Sequence, residues 1–80
     1  MPKFRKKPVV IEAFKLGTDE IPDWAHNSDD FVLLPNGSAS TRTLEGTLHA
    51  EIGDVVIQGV KGEIYPCRAD IFEATYEPAD

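Results

Sequence analysis

Residues 65–68 set a phenol, a thiol and a guanidinium almost side by side: Tyr65, Cys67 and Arg68, with Pro66 fixing the backbone between them. A structural hairpin needs none of those three groups, so this segment marks where a ligand or partner would be met. Just before it, Lys61-Gly62 reads as a turn, where glycine allows close approach of the backbone and lysine adds a cation. A guanidinium takes phosphate or carboxylate oxygens through paired N–H donors, and an aromatic ring offers a stacking face. The binding set that follows is Tyr65 or Trp24 for stacking and Arg68, Lys61 and Lys6 for charge, with turn amides near Gly59 and Gly62 as further donors. Such a set suits a small anionic, aromatic ligand.

Cys67 is also the candidate nucleophile. Arg68 could stabilise its thiolate, and His26 or His49 could serve as base. The sequence identifies no positioned base, and lone cysteines on apolar strands are mostly small packed residues. Packing is therefore the expected role of Cys67, no catalytic residue is assigned, and the chain is not expected to be an enzyme. His26, His49, Cys67 and the aspartates lack the tight ligand spacing of zinc sites, so no metal and no cofactor is expected. Gly53, Gly59 and Gly62 lack the strand-loop-helix context and the lysine-serine ending of a phosphate-binding loop, and read as turn chemistry. Trp24, beside Pro22, Asp23 and His26 on a short helical turn, is expected to plug one end of the domain while still able to line a pocket.

The elements that must position these groups are short strands. Residues 9–16 carry apolar side chains on both alternating sets, led by β-branched types, which predicts a first strand buried on both faces. Residues 21–26 suit one helical turn, with Pro22 near its start and Asp23 in the favourable first turn. Strands are expected at 31–34, at 40–44 (polar, hence exposed), at 47–52 and at 55–60. Lys61-Gly62 then closes a hairpin with 63–67. Pro35-Asn36-Gly37, Glu45-Gly46 and Gly53-Asp54 supply the intervening turns.

The tail is ambiguous. Asp70 and Glu73 are spaced as a capping box and Ile71, Phe72, Thr75 and Tyr76 share a helical face, yet Phe72, Ala74 and Tyr76 also alternate as in a strand. One helical turn at 70–73 followed by a short final strand, paired to the first, is the expectation. Phe14, Val56, Ile57 and Phe72 are expected in one core. The whole reads as mainly β: a small antiparallel curled sheet or barrel of about six short strands with one or two short helical turns.

Eighty residues make one domain, 1–80, whose residues 1–7 form a basic, partly flexible arm (Lys3, Arg5, Lys6, Lys7). The formal net charge is -6, and Asp19, Glu20, Asp23, Asp29 and Asp30 gather in an acidic stretch, which argues against general nucleic-acid binding. No apolar run is long enough to cross a membrane, and the charged start lacks the apolar core of a secretory signal. A single cysteine fits a reducing compartment, so the cytoplasm is expected.

The segments 5–14, 44–46, 53–54, 59–63 and 65–67 and the ending Asp70-Ile71-Phe72-Glu73-Ala74-Thr75-Tyr76-Glu77 together resemble small proteins encoded by bacteriophages and prophages, in the manner of the PGDYG family. Ile52-Gly53-Asp54-Val55-Val56 stands where the Pro-Gly-Asp-Tyr-Gly motif would lie. The resemblance implies a phage origin, a bacterial host cell as setting and no assigned enzymatic activity. The expected function is a non-enzymatic, homo-oligomeric binding protein that counteracts a host defence by sequestering a nucleotide-like signal. The alternative is an acidic protein-interaction module that binds and modulates a host protein through residues 19–30.

Overall fold

The computed structural model describes residues 2–5 and 7–79. The described residues form six strands and two helices: β1 (Glu12–Lys15), α1 (Asp23–His26), β2 (Phe31–Leu33), β3 (Ala39–Thr43), β4 (Gly46–Ala50), β5 (Val55–Gln58), β6 (Ile64–Cys67) and α2 (Ala69–Thr75). The fold is mainly β, as expected. Its strands divide between two three-stranded antiparallel sheets, β1-β5-β6 (sheet A) and β2-β3-β4 (sheet B).

Sheet B is a plain meander. Asn36 builds its first turn: its side-chain oxygen accepts from Ser38 N at 3.1 Å and from Ser38 Oγ at 2.6 Å. In sheet A, β5 is the central strand, and its run Val55-Val56-Ile57 is buried throughout. Alternation sends Val56 to the same face as Phe14 and Pro66, and Ile57 to the same face as Ala13 and Tyr65. A central strand covered on both faces reads as an unbroken β-branched run. Pro66 lies on the edge strand β6, where the N–H it lacks is least missed.

The main core lies between the sheets. Phe14, Leu16, Ala25, Phe31, Ala39, Ala50, Val56 and Ile64 form one buried cluster, with Ile21 and Trp24 packed against it. Each fully buried aliphatic side chain there stabilises the fold by about 1.5–3 kcal/mol. Leu16 ties the sheets' connections together, its N–H donating to Asp54 O at 2.9 Å and its carbonyl accepting from Gly53 N at 2.8 Å. Gly17, at φ +88°, is left-handed, and a Cβ placed there would stand 2.7 Å from Ile52 Cγ2. Both the conformation and the close approach require glycine.

Several expectations are corrected. The first strand starts at Glu12; Val9 and Val10 are exposed (45% and 78%), so residues 9–11 are not an interior strand. β1 pairs with β5, and among the described residues no final strand follows α2, which runs for seven residues where one turn was expected. Arg68, not Asp70, is its N-cap; Asp70 Oδ1 instead accepts from Ile71 N at 2.9 Å. β3 is the central strand of sheet B, with Ala39 and Thr41 fully buried, although its polarity suggested an exposed position. Phe14 and Val56 share the main core, but Ile57 points to the opposite face of sheet A, and Phe72 covers that face from α2.

Candidate functional site

Two strands and a helix arrange the chemistry-bearing residues on the outer face of sheet A. Tyr65 and Cys67 alternate onto this face of β6, and the strand ends at Cys67 before Arg68 can point either way. α2 then folds back. Its Phe72 and the following Tyr76, one helical turn on, stack at 5.0 Å between centroids and 26° between planes. The Tyr65 phenol is pushed up to about 12 by burial first, then by a side-chain hydrogen bond with Tyr76 and the charge of Glu63. Burial also raises the Cys67 thiol, and the carboxylates Asp54 and Asp70 add to it; Cys67 Sγ donates to Arg68 O at 3.5 Å. A thiol held protonated by neighbouring carboxylates is a poor nucleophile.

The residues marked by the sequence are not assembled into one pocket. Arg68 Nη2 donates to Asp70 Oδ2 at 3.0 Å with its side chain 72% exposed. Trp24 packs on Phe14, on the opposite face of sheet A from Tyr65. Lys61 and Gly62 sit at the tip of the β5–β6 hairpin. The amides of that turn are engaged: Gly59 N donates to Glu63 O at 2.8 Å, Gly62 N to Gly59 O at 3.0 Å, and Lys61 N to Glu63 Oε1 at 3.0 Å. Gly62, at φ +86°, serves the turn. Lys6 lies outside the described residues. His26 is exposed on α1, and His49 pairs with Glu51 at 3.2 Å.

Of the acidic stretch, Asp19 accepts from Lys15 N at 2.9 Å and Asp30 pairs with Arg42 at 3.3 Å, so both have structural partners. Among the described residues no group of three or more His, Cys, Asp and Glu could hold a metal ion, and no helix is long and apolar enough to cross a membrane.

Two of the open grooves bear on function. The larger, about 630 Å³, lies between residues 9–11 and α2 and is floored by Val9, Val10, Ile11, Ala13, Phe72 and Tyr76; Glu73 and Glu77 stand on it. The other, about 550 Å³, runs between two hairpin tips and brings Lys61 and Gly62 beside Arg42, Asp30, Leu44 and Glu63. The first was missed in the sequence because residues 9–11 read as interior strand. Part of its signal was nonetheless present: Phe72 and Tyr76 are four apart and so fall on one helical stripe. Arg42 gave no sequence signal, since only the folded hairpins bring it to Lys61.

No protein-family model, no curated protein and no solved structure matches the chain.

Proposed function

We propose that this protein is a non-catalytic interaction domain whose groove between residues 9–11 and α2 takes a basic polypeptide segment anchored by an apolar side chain. One observation carries the reading: this recess is open, lined mainly by apolar residues, and bordered by Glu73 and Glu77. An apolar floor suits an aromatic or aliphatic anchor, and carboxylates suit lysine and arginine beside it. The groups that could do covalent chemistry are not among its lining residues: the Cys67 thiol is raised by burial first, and Tyr65 is hydrogen-bonded to Tyr76. The likeness to small phage-encoded proteins supports a bacterial host cytoplasm as the setting and interference with a host defence as the outcome.

The test is an anisotropy titration with three labelled peptides: basic with a central Phe, the same with Phe changed to Ser, and the same with its cations changed to Glu. The first should bind the protein, and Val10→Asp should weaken it at least tenfold, a residue exposed enough for the fold to tolerate the change. Equal binding of the acidic peptide would overturn the reading.

A second reading keeps the anionic ligand but moves it. Lys61 and Arg42 line one groove, so a nucleotide-like anion would be met there and not at Arg68. Calorimetry with a nucleotide panel tests it: Lys61→Ala and Arg42→Ala should each weaken binding, and Arg68→Ala should not.

A further inference from the structure

The protein carries, in its own chain, a segment with the chemistry that the groove requires. Phe4 is 94% exposed, and Lys3, Arg5 and Lys7 flank it, exposed as well. An aromatic side chain left in water between cations is an anchor without a socket. The groove by α2 is a socket without an anchor, with the opposite charge on its rim. The radius of gyration is 13.3 Å, above the about 12 Å of a compact chain of this length, and the longest extent is 47 Å against 27 and 21 Å, so the chain is elongated. Phe4 does not occupy the groove of its own chain: residues 9–11 form one wall of that groove, Lys7 and Pro8 line the adjoining recess with Tyr76 and Glu77, and Phe4 lines neither.

We infer that two copies of this chain exchange their arms, the Phe4 ring of each seated between Val10 and the Phe72–Tyr76 pair of the other, with Lys3 and Arg5 facing Glu73 and Glu77. The inference rests on the reading of the groove given above and names its occupant. The exchange is reciprocal, so the interface is isologous and closes after two copies. Reciprocity matters for size. One arm of a few residues covers too little surface for a stable complex, but two arms and two grooves, with the bodies they draw together, approach the about 1,200 Å² at which specific interfaces begin. The acidic body and basic arm also explain how a chain of net charge -6 can associate with itself: each contact joins opposite signs while the rest of the surface repels further copies.

Sedimentation of the full-length protein across a concentration series tests this. The wild type should be a dimer that weakens as salt is raised, because the rim contacts are exposed and screened. Phe4→Ala should weaken dimerisation about thirtyfold, the effect of removing a central aromatic anchor. Charge reversal gives the sharper result. Lys3→Glu/Arg5→Glu sets acidic side chains on both sides of Phe4 against an acidic groove, and Glu73→Lys/Glu77→Lys sets cations beside Phe4 against a basic groove, so each alone should be monomeric. Mixed one to one, both arm–groove pairs become complementary and the dimer should return.

Unchanged far-ultraviolet circular dichroism spectra for all variants establish that folding is not the variable. A monomeric wild type, dimers in both charge variants, or no dimer in the mixture would each overturn the inference. If the wild type is monomeric yet a labelled peptide of residues 2–8 binds the groove, arm exchange fails and the groove reading stands. If neither is seen, both fail.

Discussion

Phe14 meets Trp24 edge to face, ring centroids 5.5 Å apart and planes at 62°, and meets Phe31 in the same manner at 5.8 Å and 74°. Phe14 comes from sheet A, Trp24 from α1 and Phe31 from sheet B, so one ring joins three elements. Phe14→Ala should cost about 3–5 kcal/mol, enough to unfold most of so small a domain. Trp24 is the single tryptophan, and its emission should shift to the red in the variant. An unchanged denaturation midpoint would show that this cluster is not the core.

Thr41 is fully buried in β3, and its Oγ1 has no hydrogen-bond partner among the described residues. A buried hydroxyl without a partner costs free energy that a methyl of the same shape does not. Thr41→Val should therefore stabilise the protein by about 1–2 kcal/mol, measured by urea denaturation. A loss of stability would mean the hydroxyl is satisfied.

The folded state raises the Tyr65 phenol to about 12 from the ordinary 10.0. Its neutral form is thus favoured by folding. That stability is fully present below pH 10 and drains away as pH rises through about 12. Only two tyrosines are present, so absorbance at alkaline pH should resolve the late one. Tyr76→Phe removes the hydrogen bond and should bring that midpoint down, leaving the part due to burial, Glu63 and Cys67.

Gly17→Ala should destabilise the fold by about 1–2 kcal/mol for the left-handed backbone alone, and by more because its methyl meets Ile52. Adding Ile52→Ala should return the part due to the clash and none of the part due to φ. A double-mutant cycle on melting free energies separates the two, and strict additivity would show that no clash exists.

Cys67 should alkylate more slowly than an unstructured cysteine at pH 8, since its thiol is raised by burial, Asp54 and Asp70. Asp70→Asn should accelerate the reaction by removing the smallest of those contributions. A faster rate in the wild type than in the unfolded chain would mark Cys67 as activated.

The turns were the most legible part of the sequence. Asn36-Gly37 and Lys61-Gly62 stand where the chain reverses, because glycine and asparagine report backbone conformation directly, and the strands between them followed. Burial was less legible. Val9, Val10 and Ile11 have the residue types of an interior strand, but residue type does not reveal whether another element lies over them, and here a groove does. Thr41 misled in the opposite direction, since a polar strand can still be central. The site was the least legible: Tyr65 meets Tyr76 and Lys61 meets Arg42 only through the fold, and neither pair has a spacing that periodicity can read.

Sheet B lies wholly between β1 and β5 in the chain, and β5 is the strand that β1 must pair with. Hairpins such as those of sheet B close in microseconds and need only neighbours in sequence, whereas β1 must wait for a long loop to close. During synthesis the wait is longer still. At about 5–20 residues per second, several seconds pass between the appearance of Phe14 and that of its partner Val56. For most of that interval sheet B is itself still being made, the first strand stays unpaired, and the exposed ring of Phe14 is what a chaperone would find to hold.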